Sequence, residues 1–374
     1  MMENYSFETK KYALLLISFL TAFVSCQKPI DSKKSEETFR VGAWMGANSK
    51  TSTAELENTF SKLEQAGFHE VLINTGGNSE LLKKITPLAK SYDLDVHAWM
   101  FTMNRPGDTL SLKHPDWYTV SRDGKSCYDT RPYVNYYQWL CPSREDAVNH
   151  VLSLVRQLAE VPEIKSVHLD YIRFVDVFLP IGLLPKYDLI QNTELPEYDF
   201  CYCEVCRAKF KAQHHRDPLD LEHPELDVEW RQFRLNAIRN VVNQAYEIAH
   251  QNKKELTSAV FPYPTMAANM VRQRWDKWNV DRVYPMLYHN FYKEPLEWIG
   301  FATQQGVNDL KAKQTVLSSG VYVPAIEPSE IPKLIHMVKS SGANGITFFD
   351  AKALSDAHLE IIKEVLFSLP KEKK

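Results

Sequence analysis

From residue 39 onward the chain alternates short apolar runs with longer stretches in which apolar residues return every three to four positions. Short runs bounded by turn residues read as buried strands, and the 3.6-residue recurrence reads as helices with one face on a core. The pattern predicts strands at 41–47, 70–75, 96–102, 164–172, 256–261, 283–288, 315–321 and 345–349. It predicts helices at 53–67, 80–92, 144–159, 230–250, 269–278, 296–306, 329–341 and 357–367. In the longest of these, Phe233, Ala237, Val241 and Ala245 repeat near helical spacing, and Gly342 supplies the stop after 329–341.

Eight strand–helix units are the count for a closed (β/α)8 TIM barrel, expected here as one domain over 39–370. An open doubly wound sheet is the alternative, but no G-x-G-x-x-G follows any predicted strand, which removes its usual dinucleotide-binding form. Two connections are much longer than the others: 104–142 after strand three and 174–227 after strand four. Connections of such length are usually functional or disordered. Both leave C-terminal strand ends, the face on which barrel enzymes build their sites.

The N-terminus reads as an address. Lys10 and Lys11 precede an apolar stretch at 12–24, and F-V-S-C at 23–26 follows the pattern of a bacterial lipoprotein signal. The apolar run is too short for a comfortable membrane span. The expectation is a signal peptide at 1–26, lipidation (palmitate included) at Cys26, and a polar tether at 27–38. The mature protein would then be anchored in the bacterial cell envelope, at the outer membrane, as a domain hanging from its lipid. A formal net charge of -3 with 24% charged residues argues against a nucleic-acid partner held by bulk positive charge.

Setting Cys26 aside leaves Cys127, Cys141, Cys201, Cys203 and Cys206 in a compartment where disulfides are permitted. Five is odd, so at least one thiol is unpaired or bound to something else. Cys201-x-Cys203-x-x-Cys206 has spacing that can place three thiolates around zinc, with a fourth ligand from elsewhere. A structural staple, disulfide or zinc, is favoured over a catalytic metal, and no cofactor is expected in the chemistry.

The densest stretch of candidate chemistry is S-V-H-L-D-Y-I-R-F at 166–174. Strand alternation puts His168 and Asp170 on one face and Val167, Leu169 and Tyr171 on the other. The plain structural reading makes His168 a satisfied core histidine and Asp170 a cap. Collecting the predicted strand ends gives Trp44, Asn74, Trp99, Asp170, Arg173, Tyr263, Tyr288, His289, Glu327 and Asp350. Rings mixed with carboxylates and hydrogen-bonding groups suit a sugar, whose C–H faces pack on rings while its hydroxyls take polar partners.

Glycosidic cleavage usually needs one group to protonate the leaving oxygen and a second to stabilise or attack the cationic centre. Asp170 is the first choice of catalytic carboxylate. Asp350 and Glu327 are the candidate partners, and a 2-acetamido or amino group on the sugar is the alternative. His168 is expected to bond Asp170 and tune its pKa, and Arg173 to hold it ionised or to meet an anionic sugar.

Several motifs together resemble a known family. They are V-H-A-W at 96–99, H-P-D-W at 114–117, R-D-G at 122–124, W-L-C-P at 139–142 and V-H-L-D-Y-I-R-F at 167–174. W-R-Q-F-R at 230–234, F-P-Y-P at 261–264 and W-D-K-W-N-V-D-R-V-Y-P-M-L-Y at 275–288 continue the series. In this order they resemble the bacterial glycosyl-hydrolase-like family 10, over residues 40–350. The resemblance implies a (β/α)8 barrel, a polysaccharide or oligosaccharide substrate, and a strand-four Asp, here Asp170, at the centre of the site. Two positions depart from it. Many members look like H-x-D-D-Y where this chain has Asp170 followed by Tyr171, and Cys141 stands where Asn or Asp is commoner.

Three functions follow in order of preference. The first is a lipid-anchored glycoside hydrolase; the second is a carbohydrate-binding lipoprotein that keeps the barrel without the chemistry. The third, a hydrolase using a metal held by the 201–206 cysteines, is disfavoured because catalytic zinc usually keeps mixed ligands and an open position, and no H-E-x-x-H is present.

Overall fold

A computed structural model of the chain describes residues 39–369. The segments read as signal peptide and tether, with Cys26, lie outside the described residues. In chain order the elements are β1 (Arg40–Gly46), α1 (Thr53–Gln65), β2 (Glu70–Asn74), α2 (Ser79–Lys90), β3 (Asp95–Phe101), α3 (Glu145–Ala159) and β4 (Ser166–Asp170). They continue as α4 (Glu204–His214), α5 (Val228–Gln251), β5 (Glu255–Val260), α6 (Pro264–Val271), β6 (Arg282–Pro285), α7 (Trp298–Asp309), β7 (Val316–Tyr322), α8 (Ile331–Ser340), β8 (Gly345–Phe349) and α9 (Asp356–Ser368). Each strand pairs in parallel with the next, and β8 closes on β1 with Arg40 opposite Gly345. The fold is the (β/α)8 barrel that the periodicity predicts. Among the described residues no helix is long and apolar enough to cross a membrane.

Two helices differ from the pattern. The helix expected at 269–278 starts earlier, because Pro264 takes its first turn, and ends where Arg272 enters the left-handed region at φ +56°. A separate short helical turn, Trp275–Lys277, follows. The helix α4 lies inside the second long connection and escaped the pattern because only Cys206 and Phe210 on it are buried.

Alternation along the strands divides the barrel wall. Val41, Ala43, Val71, Ile73, Val96, Ala98, Val167 and Leu169 face outward into the core shared with the helices. The opposite positions point inward. Barrel interiors usually fill with branched apolar side chains; here a small ring of Trp44, Leu72 and Tyr284 is flanked by a continuous polar chain. Trp44 Nε1 donates to His168 Nε2 at 3.2 Å, so Nδ1 carries the histidine proton and donates to Thr257 Oγ1 at 2.9 Å. Thr257 meets Ser166 at 3.1 Å, and Ser166 meets His97 Nδ1 at 2.6 Å. At the far end Glu70, 1% exposed, accepts from Arg40 Nε at 2.8 Å and from the Tyr284 hydroxyl at 3.0 Å. Burial alone would raise the Glu70 pKa, but His97, Arg282 and Arg40 outweigh it and hold the carboxyl well below its ordinary range.

Gly320 makes room for the Trp44 indole. A Cβ at that position would lie 2.8 Å from Trp44 Cη2 and 2.9 Å from the Pro285 carbonyl oxygen.

The connection 174–227 is fastened to the barrel by a buried ionic cluster. Asp199 pairs with Arg234 and accepts from the Tyr202 hydroxyl at 2.6 Å, while Arg272 pairs with Glu194. The Arg234 guanidinium lies 4.8 Å from the Trp230 ring centroid. The W-R-Q-F-R motif is therefore an anchor for this loop.

Candidate active site

A cleft of about 380 Å³ opens at the C-terminal ends of the strands. Trp44, Trp99, Phe101, Asp170, Ala259 and Phe349 line it from the barrel, and Tyr288 and Tyr322 extend the wall. The connection 104–142 contributes Tyr133, Tyr136 and Tyr137, and the connection 174–227 contributes Leu179, Pro180, Lys186 and Tyr187. The two long loops thus both line an aromatic slot, and they pack on each other there, with Tyr133 stacked on Tyr198 at 4.1 Å between ring centroids.

Asp170 is the last residue of β4 and is 8% exposed within this cleft. Its Oδ2 accepts from Trp99 Nε1 at 3.1 Å and its Oδ1 from the Tyr171 N–H at 2.6 Å. Burial pushes its pKa up to about 6, against the lowering pull of the Tyr171 amide, the Arg173 charge and the Trp99 N–H. A carboxyl poised there can both give and take a proton near neutrality.

Tyr171 departs from the predicted alternation. At φ +51° the backbone turns out of the strand, so the ring folds into the cleft, edge-on to Phe101 at 4.7 Å, instead of joining Val167 and Leu169 outside. Arg173 is buried, and its ion-pair partner is Asp176 at 3.0 Å rather than Asp170. Its guanidinium lies 4.8 Å from the Trp139 ring centroid and 5.1 Å from those of Phe261 and Tyr171. Burial opposes that charge, and Asp176 with the neighbouring tyrosines more than restores it.

His168 does not bond Asp170. Its two nitrogens are used by Trp44 and Thr257 inside the barrel, one layer below the carboxylate. Burial and the nearby His97 push its pKa well down, so it is neutral, the satisfied core histidine of the plain reading. Trp44 is 1% exposed and forms cleft floor, and Tyr288 packs against Phe291, Tyr322 and Phe349 along the wall.

The proposed partner acids fall elsewhere. Asp350 and Asn74 line a neighbouring depression of about 580 Å³ that shares Trp99 and Phe101 with the cleft. Asp350 Oδ1 accepts from the Ala353 N–H at 3.2 Å, and Asn74 Oδ1 from the Gly76 N–H at 2.7 Å. Glu327 is exposed and lines neither space. The reason is local: β7 ends at Tyr322 and a helical turn, Val323–Ala325, intervenes, so Glu327 instead opens the next short turn, its N–H bonded to Glu330. Tyr263 packs edge-on to Phe301 at 6.2 Å, and His289 begins a helical turn after β6; neither lines the cleft. Among the described residues lining the cleft, Asp170 is the one carboxylate.

The sequence reading missed Tyr133, Tyr136, Tyr137, Tyr322 and Phe349 as wall residues. Y-V-N-Y-Y at 133–137, an aromatic cluster inside a long loop, was the available signal. Cys201, Cys203 and Cys206 lie outside the cleft, where Cys141 joins them in a buried group whose Sγ atoms are all within 4.8 Å of one another.

These features define the class: a (β/α)8 barrel with an aromatic cleft around one buried carboxyl. Solved structures sharing the fold include the PgaB (BpsB) glycoside hydrolase domain from Bordetella bronchiseptica, at 13% identity, covering 89% of this chain and 100% of that one, with a TM-score of 0.62. The catalytic domain of beta-amylase from Paenibacillus polymyxa is similar at 11% identity, 89% and 99% coverage, and a TM-score of 0.62. Alpha-L-fucosidase isoenzyme 2 from Paenibacillus thiaminolyticus matches at 10% identity over 89% of this chain and 49% of that one, with a TM-score of 0.54. No family model matches the sequence, and no curated protein matches it. The chain therefore shares the (β/α)8 fold of these structures, and its resemblance to family 10 rests on the motifs alone.

Proposed function

We propose that the protein is a glycoside hydrolase that cleaves a polysaccharide or oligosaccharide, with Asp170 as its proton donor. The observation that carries this reading is a buried carboxyl at the end of strand four inside an aromatic slot, where burial pushes its pKa up to about 6. The names of the solved structures that share the fold support the same chemistry. A sugar would stack on the tyrosines while protonated Asp170 gives its proton to the leaving glycosidic oxygen. The carboxylate left behind would accept a proton from the incoming water, which resets the site.

The second group of the mechanism is not a cleft carboxylate. The sugar's own 2-acetamido group can supply it, or Asp350 can act from the depression behind Trp99. Release of reducing ends from amino-sugar and plant polysaccharides is the assay. Asp170→Asn should lower turnover about 10²- to 10⁴-fold, the usual share of a general acid. A variant as active as wild type would remove Asp170 from the chemistry.

The single carboxylate also favours a second reading, a carbohydrate-binding protein without turnover. Saturable binding of a glycan by the wild-type chain, with no product from any glycan that binds, would establish that reading over the first. The segment at 10–26 supports lipid anchoring in the envelope through Cys26. Labelled palmitate should enter the wild-type protein and not Cys26→Ala; equal labelling would refute it.

A further inference from the structure

We propose that Cys141, Cys201, Cys203 and Cys206 hold one zinc ion, and that this tetrathiolate centre clasps together the two long connections that wall the cleft. The inference rests on the cysteines and the loops they join, and it stands whether or not the cleft is catalytic.

The spacing of the sulfurs is the first argument. Cys141 Sγ lies 3.6 Å from Cys203 Sγ and 3.5 Å from Cys206 Sγ, and all four sulfurs fall within 4.8 Å of one another. Zinc–sulfur bonds of about 2.3 Å in a tetrahedron set the sulfurs roughly 3.8 Å apart. A disulfide would draw one pair to about 2.05 Å. Cys141, nearly equidistant from two neighbours, is arranged for a shared ion rather than for one covalent partner.

The surroundings are the second argument. All four residues are buried, and four sulfurs packed this closely cannot all ionise without a cation among them. The Val120 and Cys203 N–H groups point at Cys201 Sγ at 3.4 and 3.5 Å, the backbone hydrogen bonds that support a metal thiolate. Cys203 and Cys206 sit at the N-cap and third position of α4, where the helix dipole favours negative charge. A closed set of four thiolates with no open position is a structural site, and the soft ligands select zinc over hard cations.

Position gives the centre its role. Cys141 ends the connection 104–142, just after Trp139, which packs on Tyr171 and carries the Arg173 guanidinium. The other three open α4 in the connection 174–227. Backbone bonds already tie the two loops beside the cluster, from the Tyr202 N–H to the Val120 oxygen at 2.7 Å and across the Ser121–Phe200 bridge. One ion would lock this seam and hold both cleft walls in register.

The test is metal analysis of the full chain purified without added metal, combined with mass spectrometry of its thiols. One zinc per chain is expected, released in full when a mercurial blocks the cysteines, with cobalt replacing it to give the visible bands of a tetrahedral thiolate complex. Cys141→Ser should lose the zinc and melt at lower temperature; should it fail to fold, the wild-type stoichiometry and thiol masses decide alone. Zinc far below one per chain after zinc-supplemented expression, a disulfide among these four residues, or equimolar iron in place of zinc would each overturn the proposal.

Discussion

Replacing Asp170 with Asn tests whether the cleft holds a neutral acid, through stability as well as turnover. Folding raises the Asp170 pKa from 3.8 to about 6, because burial penalises the charged form. Below the unfolded value both states are protonated and the group costs nothing. As pH rises toward the folded value, the unfolded chain releases this proton first, so the folded state loses stability across that window. A shift of this size corresponds to about 3 kcal/mol, fully expressed above roughly pH 7. Asn carries no charge and escapes that loss. It has one oxygen where Asp has two, so either Trp99 Nε1 or the Tyr171 N–H loses its acceptor, at about 1–3 kcal/mol independent of pH. The sign of the difference at one pH is therefore uninformative, and its slope is the test. Denaturant unfolding of both proteins between about pH 4 and pH 8 should show the variant gaining about 3 kcal/mol on wild type as pH rises. Turnover by wild type should fall as pH climbs through about 6, where the donor loses its proton. A stability difference that is flat with pH would mean that Asp170 is an ordinary solvated carboxylate, and the acid role would go with it.

Three other substitutions probe the walls. Asp176→Ala leaves the buried Arg173 guanidinium without its ion-pair partner and should cost about 3–5 kcal/mol in denaturant unfolding; a loss under about 1 kcal/mol would show that the cation reaches solvent. Gly320→Ala forces a methyl against Trp44 and the Pro285 carbonyl, with an expected cost of about 1–3 kcal/mol and a changed tryptophan fluorescence; unchanged stability would contradict the close approach. Tyr136, 48% exposed in the cleft, should act in ground-state binding, so Tyr136→Ala should raise KM about 3- to 10-fold with kcat kept, the effect of about 0.5–1.5 kcal/mol of stacking. A fall in kcat at constant KM would place Tyr136 in the transition state instead.

The barrel was legible because its signal is repetitive. Each strand carries an outward apolar set such as Val167 and Leu169, each helix a matching stripe, and eight repetitions average out local ambiguity. The polar interior was half legible: alternation puts His168 inward with Asp170, but only the closure of the barrel reveals that Trp44 and Thr257, far away in sequence, take both its nitrogens. Side chains beyond strand ends were read least well. One residue in the left-handed region sends Tyr171 into the cleft, and one helical turn removes Glu327 from it. Neither event leaves a periodic trace. The fourth cysteine was hidden for a related reason, since Cys141 meets Cys201, Cys203 and Cys206 only after two loops have folded against each other.

The burial that raises the Asp170 pKa also limits what can sit beside it. Rings of Trp99, Phe101, Tyr171 and Tyr288 surround the carboxyl, and burial is the largest cause of its raised pKa. A second carboxylate in the same space would meet the same penalty together with repulsion from the first, and the two would share one proton. A nucleophile must stay ionised while the donor stays neutral, so the partner group has to lie in a different environment. Asp350 lies in a different environment: it is partly exposed, caps a turn, and lines the neighbouring depression that shares Trp99 and Phe101 with the cleft. A neutral acetamido on the substrate avoids the conflict as well, since it brings a nucleophilic oxygen without a charge to desolvate. The lone acid in the slot is thus what the electrostatics of an aromatic cleft allow, so the proposed hydrolysis requires its second group to come from outside the slot or from the substrate.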